Sequence, residues 1–513
     1  MVKILKKNDK KSVLKNQFYI SIFSIFFIQI LIKIVGMIYN LFLTNNENYS
    51  DEGNGIFMSA HQIYILFLTI SIVGIPTSIT KLISGKSKNG VDVQKILQIS
   101  LMVWGVIGTF EMFFVFALSN KIANIFMGNI ENVSILKLLA IGIPFVNFNS
   151  VYRGALNGIE KTSEGTIIQF IEQIIKVVFP IIGLYWLRNL NIETQKNILY
   201  IVTFGVTSSV IITFFIYMNK WKKYKNNIIE ESNIRYIDII KNMFLLSIPV
   251  TIIGIFGIIN KNIDSISLRY ILKDVLSLEK INEIYGMIVS KVDVLINLPI
   301  GLNGAITIPL LPKISKMYSN NDYIGIRNII SSSIFISMGF AIPITAGYIL
   351  FSKDILNLLY PNANSGSDLL MMSSILIILN MLLQIIMVYY NAIGNTNIII
   401  RSFGFGAIIK LILNVFLIRI PNICEKGIII SSIVSDIFII YILMKNKIFK
   451  NIDLKLNDIK LDMIFFETLF MFFIIIIVKN IGEFFYINDK ILFVFCLRNR
   501  NISVFLQIFY EKI

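Results

Sequence analysis

Residues 18–43 read FYISIFSIFFIQILIKIVGMIYNLFL. One charge, Lys33, interrupts a run longer than the roughly 20 apolar residues that cross a bilayer's hydrocarbon core. Upstream lie Lys3, Lys6, Lys7, Lys10, Lys11 and Lys15. The run is too long for a signal-peptide core and offers no small-residue cleavage site. It reads as a first membrane span with the N-terminus inside, because cytoplasmic flanks collect Lys and Arg.

The rest of the chain repeats the pattern. Apolar runs at about 56–80, 96–118, 133–156, 165–187, 196–219, 239–260, 284–310, 327–351, 367–393, 398–420, 426–444 and 461–479 predict about thirteen spans. A further run in 484–512 is broken by Arg498, Asn499 and Arg500 and reads as a degenerate last span. The 513 residues are 55% hydrophobic and only 15% charged, against about a quarter charged in soluble domains. That balance excludes a water-soluble fold and predicts an all-α, polytopic membrane protein. The net charge of +16 sits between the apolar runs, at 81–95, 220–241 and 445–460, whereas the first outer loop, 44–55, carries Glu47, Asp51 and Glu52 and no base. Inner loops hold roughly twice as many bases as outer ones, as the positive-inside rule demands. The basic excess therefore needs no nucleic acid.

Ser119–Phe126 (SNKIANIF) resembles Ser352–Leu359 (SKDILNLL), and Tyr152–Gly158 (YRGALNG) resembles Tyr389–Gly394 (YYNAIG), at offsets of 233 and 237 residues. Six predicted spans separate the copies, so both halves have the same orientation. This predicts two parallel six-helix lobes, 1–219 and 239–444, around a central cavity, joined by a basic cytoplasmic linker at 220–238. One or two extra C-terminal helices follow in 445–513. Parallel repeats of this kind are a transporter architecture.

Charges at membrane depth are expensive and normally face a bundle interior or water. In span 1, Gln29, Lys33, Gly36 and Asn40 fall on one helical stripe. Span 5 carries Gln169, Glu172, Gln173 and Lys176, with Glu172 and Lys176 spaced to neutralise each other or to face a substrate. Asn260, Lys261, Asp264 and Arg269 follow in span 7 and the outer loop predicted at 261–283. Span 8 carries Lys291, Asp293 and Asn297, and its Pro299, Gly301 and Gly304 make it the best candidate for a bent helix. Lys410 and Asp436 read as an interhelical ion pair. Arg153 completes a surplus of positive charge. The substrate-binding candidates are Lys33, Asn40, Arg153, Glu172, Lys176, Asp264, Arg269 and Lys291, a set suited to an anionic phosphate or diphosphate group.

His61, the one histidine, reads as a structural hydrogen-bonding group or an outer-mouth residue. Cys424 and Cys496 imply no disulfide framework or zinc site. No nucleophile elbow, zinc-protease or nucleotide-binding motif stands out, so neither metal, cofactor, catalytic residue nor ATP drive is expected. A membrane-embedded enzyme would need a catalytic constellation near the interface, which Asp264, Asp274, Glu279 and Glu283 do not make.

Several stretches together resemble the polysaccharide-exporter branch of the MOP superfamily, the group that holds stage V sporulation protein B and the lipid II flippases. They are Lys33–Tyr39 followed by Asp51–Gly53; Gly74–Lys81 (GIPTSITK); Tyr152–Gly158 running into Gln169–Lys176 (QFIEQIIK); Ser247–Pro249 followed by Asp264–Arg269; and Leu298–Pro299 through Pro309–Lys313. The likeness covers about 18–450. It implies about fourteen helices in the bacterial cytoplasmic membrane, a monomer, and movement of a polyprenyl-diphosphate-linked saccharide, such as a cell-wall or spore-cortex precursor, to the outer leaflet by alternating access. It places Lys33, Arg153, Lys176 and Arg269 among cavity or gate bases. Asn40 stands where the family often has a base, Glu164 where it usually has proline, and the tail beyond about 484 departs from it. Within the same superfamily, a cation-coupled drug exporter would want a carboxylate-rich ion site, for which the first lobe offers mainly Glu111 and Glu172.

Overall fold

The structure, a computed structural model, describes residues 27–84, 90–128, 132–224, 235–361, 365–420, 423–450 and Thr468. The N-terminal lysines, Cys496, the span predicted at 484–512 and, apart from Thr468, the span predicted at 461–479 lie outside these residues. The described chain is all helix. Ten helices are long and apolar enough to cross a membrane, and each overlaps a predicted span, so the chain is a multi-pass membrane protein.

Two compact units divide the chain, 1–43 with 48–283 and 44–47 with 284–513. The first contains α1 (Phe27–Thr44, all but its last residue), α2 (Ser50–Thr69), a π-helical turn (Ile70–Gly74) leading into α3 (Ile75–Ser84), α4 (Gly90–Met127), α5 (Val133–Ala140), α6 (Ile143–Gly158), α7 (Thr162–Asn189), α8 (Gln195–Trp221) and α9 (Tyr236–Leu272). Helix α9 packs on α2, α3 and α4, so the compact unit extends past the 220–238 linker. It runs on to Leu272, and α10 (Leu278–Gly286) starts soon after. The stretch 261–283, predicted as a loop, is thus mostly helix, because Asp264 to Arg269 continue the turn of α9 instead of breaking it.

The second unit begins as α10 passes into another π-helical turn (Met287–Val292) and then α11 (Asp293–Leu302). Next come α12 (Gly304–Ser319), α13 (Tyr323–Leu359), α14 (Ser367–Ser373), α15 (Ile375–Ala392), α16 (Thr396–Leu417), α17 (Cys424–Lys445) and α18 (Lys447–Lys450). Predicted span 8 is interrupted at Asn303, between α11 and α12, where the backbone keeps right-handed helical dihedrals. Asn303 is buried there: its Nδ2 donates to Met381 O (3.0 Å) and Gln384 Oε1 (2.9 Å), and its Oδ1 accepts from Ser337 Oγ (2.5 Å). One amide thus satisfies polar groups on α13 and α15 where lipid cannot.

The repeated segments occupy matching places. SNKIANIF ends the 38-residue α4 and SKDILNLL ends the 37-residue α13; YRGALNG ends α6 and YYNAIG runs off the end of α15. Each unit also has its π turn in the second predicted span of its lobe, at 70–74 and 287–292.

Lipid tails are as apolar as leucine, so these helices associate through close packing and polar contacts rather than by escaping water. Small residues set the approach. In the first unit, Gly154 and Gly158 make a G-x-x-x-G face on α6; an added Cβ would stand 2.9 Å from Pro76 Cα at Gly154 and 2.7 Å from Ile83 Cβ at Gly158. Thr80 Oγ1 donates to Gly154 O (3.0 Å) across the same crossing. In the second, Gly406 admits Ile439 and accepts a hydrogen bond from Ser435 Oγ (2.9 Å), which closes α16 on α17.

Candidate functional site

Close crossing of α3 and α6 brings the π turn beside Arg153. The backbone bonds of a π turn run from i to i+5, and Arg153 Nη2 donates to a carbonyl within it, Ile72 O, at 2.6 Å. The guanidinium thereby reaches the wall of a cavity of about 410 Å³ inside the first unit. Gln29 of α1, His61 and Tyr64 of α2, Asn149 and Arg153 of α6, and Gln169, Glu172, Gln173 and Lys176 of α7 line it, with Ser209 and Tyr217 of α8.

The cavity's polar groups are only partly used. Gln29 Nε2 donates to Gln169 Oε1 (3.2 Å), which ties α1 to α7. Tyr217 OH donates to Gly165 O (3.1 Å), and its ring stacks on Tyr152 at 6.3 Å. Asn149 Nδ2 donates to Val210 O and Thr213 Oγ1, both at 3.0 Å. Yet Asn149 Oδ1, Tyr64 OH and His61 Nδ1 have no hydrogen-bond partner among the described residues. Asn149 and Tyr64 are 7% and 3% exposed. A buried polar atom without a partner costs free energy, so these three atoms are set to receive one from a guest or from water.

Three of the predicted candidates meet here. Glu172 is within electrostatic reach of both Arg153 and Lys176. It closes no ion pair with Lys176, although the two sit at i and i+4 on α7, and Thr213 of α8 hydrogen-bonds its carboxylate. Two cations against one carboxylate leave the wall net positive. His61 was expected to make a structural hydrogen bond or to face the outer mouth. Its ring packs between Phe57 (5.3 Å) and Tyr64 (5.9 Å) beside the cavity, with Nδ1 unpartnered among the described residues.

The remaining candidates lie elsewhere. Lys33 is exposed on α1, and Asn40 is half-buried one helical stretch beyond it. Their stripe does face α7: a Cβ at Gly36 would stand 3.1 Å from Gln173 Nε2. Arg269 is 4% exposed beside a second cavity of about 500 Å³ in the first unit, lined by Asn124, Gly128, Tyr270, Lys273 and Leu278 among others. Its guanidinium bonds Ser59 Oγ (2.6 Å), Ser265 Oγ (2.7 Å) and Asn282 Oδ1 (2.8 Å). Asp264 precedes it on α9. Lys291 is fully buried in the second π turn, 3.4 Å from Ser365 Oγ and 5.5 Å from the Tyr360 ring centroid. Asp436 accepts from Asn380 Nδ2 (3.0 Å), and Lys410 is buried on α16.

Sequence reading missed Tyr64, Asn149 and the π turn. For Asn149 there was a signal: Asn147, Asn149 and Ser150 precede Arg153 in a span where polar residues need partners. The π turn had none, since Ile70–Gly74 (ISIVG) reads as ordinary apolar helix. Among the described residues no group of three or more His, Cys, Asp or Glu is placed to hold a metal.

A family model described as polysaccharide biosynthesis protein matches residues 19–318, and one described as lipid II flippase MurJ matches 286–494. The chain is 21% identical over 412 residues to the lipid II flippase MurJ of Bacillus subtilis (strain 168), covering 76% of this chain and 75% of that one. It is 28% identical over 131 residues to stage V sporulation protein B of the same organism, a quarter of each chain. Among solved structures, a lipid II flippase MurJ in an inward closed conformation superposes with a TM-score of 0.71 at 17% identity, covering 95% of this chain and 98% of that one. An inward-facing multidrug resistance MATE transporter of the MOP superfamily superposes at 0.64 with 12% identity, covering 83% and 99%.

Proposed function

The chain belongs to the polysaccharide biosynthesis protein family, and from that premise we propose that it is a transporter of the bacterial cytoplasmic membrane that flips a polyprenyl-diphosphate-linked saccharide from inner to outer leaflet by alternating access. The observation that carries the reading is the net positive cavity of the first unit, where Arg153 and Lys176 stand with a single carboxylate, Glu172. A diphosphate needs cations, and a planar guanidinium can bind its oxygens in pairs. The surrounding amide, hydroxyl and imidazole groups, with Asn149 Oδ1, Tyr64 OH and His61 Nδ1 unpartnered among the described residues, suit the polar part of such a head group. The relatives named lipid II flippase and stage V sporulation protein B point to cell-wall or spore-cortex precursors as the glycan class. The working unit is one chain, with its N-terminus cytoplasmic.

The test is reconstitution of the full chain in liposomes carrying a fluorescent polyprenyl-diphosphate saccharide. Wild-type protein makes the inner-leaflet pool accessible to an external quencher, and the recovered lipid is chemically unchanged. Arg153→Gln lowers the rate by about tenfold or more, the loss of one charge-assisted contact. An altered lipid would mean an enzyme, and a rate equal to that of empty liposomes would end the proposal.

The MATE likeness favours a second reading, a cation-coupled exporter of drugs. It requires sodium- or proton-dependent efflux of a cationic dye, which a net positive cavity disfavours.

A further inference from the structure

Glu111 lies midway along α4, 7% exposed. Asn147 of α6 is its hydrogen-bond partner among the described residues, and that bond is long, 3.5 Å from Asn147 Nδ2 to Glu111 Oε2. The same Nδ2 makes a better bond to Trp104 O at 3.1 Å. Neighbouring elements bring other ionisable groups: His61 and Tyr64 on α2, Lys81 on α3, Lys137 on α5, Arg153 on α6 and Lys261 on α9. None of them makes a hydrogen bond or ion pair with Glu111. An ionised carboxylate so enclosed in a membrane protein is costly, and one stretched amide contact does little to offset it. The arrangement suits a neutral carboxyl.

Asn147, fully buried, has a second role. Its Oδ1 accepts the hydroxyl hydrogen of Ser71, also fully buried, in the π turn. The next residue of that turn, Ile72, gives its carbonyl to Arg153. One short π turn is therefore held from α6 at two points six residues apart, one leading to Glu111 and the other to the cavity cation.

We propose that Glu111 is a proton-binding site coupled to the cavity through Asn147 and the Ser71–Ile72 π turn, so that proton entry drives transport of the anionic guest. The coupling follows from the bonds. When Glu111 loses its proton to water, the carboxylate draws Asn147 Nδ2 away from Trp104 O. The amide turns, Ser71 loses its acceptor, and the π turn gives up its hold on Arg153 through Ile72. Arg153 is then free to bind an anion. Reprotonation restores the tie and withdraws the guanidinium. Linkage makes this reciprocal: a guest that captures Arg153 favours the ionised carboxyl. A guest loaded with Glu111 ionised and released when it is protonated moves against one proton per cycle. The identity of the guest rests on the function proposed above, whereas the proton site does not.

Two measurements test it on the full chain in proteoliposomes. The first is infrared difference spectroscopy between mildly acidic and mildly alkaline pH, without any guest. Wild type shows a protonated-carboxyl C=O band that titrates, Glu111→Gln lacks it, and Ser71→Ala keeps it. The second is the ratio of fluorescent polyprenyl-diphosphate lipid flipping with and without a pH gradient, acid on the side opposite the labelled leaflet. Wild type is accelerated by up to about tenfold per unit of gradient, and both variants bring the ratio to one. A Glu111→Gln spectrum identical to wild type overturns the proposal, as does a gradient response retained in Glu111→Gln. If no lipid flips in any sample, the transport reading fails, and the infrared band alone then decides whether Glu111 binds a proton.

Discussion

Gly154 lies so close to Pro76 that a Cβ on the glycine would stand 2.9 Å from the proline Cα and 3.0 Å from its carbonyl oxygen. Backbone cannot swing aside as a side chain can, so α3 and α6 approach only because residue 154 has no side chain. Gly154→Ala should cost about 1–3 kcal/mol through overpacking and part Arg153 from Ile72 O. The expected result is a lower thermal midpoint in detergent together with slower lipid flipping. Gly347, with nothing near its Cβ position, is the matched control: Gly347→Ala should leave both values near wild type.

Tyr64 and Asn149 separate a ligand-facing role from a structural one. Tyr64 OH makes no bond among the described residues, so Tyr64→Phe removes nothing from the fold and should change stability by less than about 0.5 kcal/mol. If a guest supplies the missing partner, its affinity falls by about five- to tenfold, the worth of one hydrogen bond. Binding of a polyprenyl-diphosphate saccharide, titrated against unfolding temperature in one preparation, checks both halves.

Arg269 behaves in the opposite way. It bonds Ser59, Ser265 and Asn282 from a position 4% exposed. Arg269→Met leaves those groups buried and short of a donor, at a cost of about 1–3 kcal/mol. Low yield of monodisperse protein is expected before any change in transport can be read. Lys273, exposed on the same cavity, should tolerate Lys273→Met within about 0.5 kcal/mol. Heating followed by size-exclusion chromatography compares the two.

Asn303→Leu tests the break between α11 and α12. It strips an acceptor from Ser337 and a donor from Met381 O and Gln384 in one step. A loss of about 2–4 kcal/mol is expected from groups left unsatisfied. Asn303→Asp keeps the acceptor for Ser337 but not the donor, and should fall between wild type and leucine in unfolding temperature.

Span positions were legible because a bilayer imposes one length and one polarity on every crossing segment. SNKIANIF and SKDILNLL were legible as matching marks, and both fall at the ends of long helices, α4 and α13. Glu172 and Lys176 were legible as one face of α7 from their helical spacing; that Arg153 stands beside them was not, because it lies on α6. What spacing could not reveal was the neighbour across the gap. Arg269 looked like Arg153 from the sequence, a base in an apolar setting. Its partners, Ser59 and Asn282, come from α2 and α10, and no periodicity within α9 reports them. The π turns were hidden for a different reason: one extra residue in an apolar helix leaves composition and hydropathy unchanged.

A π turn amounts to one residue more than its helix can count, and Ile70–Gly74 therefore works as a register mark. Deleting a single residue there would let α2 run on into α3 as one regular rod with its flanks still in phase, because an α turn covers the rotation that the π turn spreads over an extra residue. His61 and Tyr64 would keep the cavity wall, and Ile79 and Ile83 their seats on α6, while the backbone that Arg153 holds was redrawn. A one-letter change in chain length, invisible to any hydropathy profile, would reset the cavity cation and spare the scaffold.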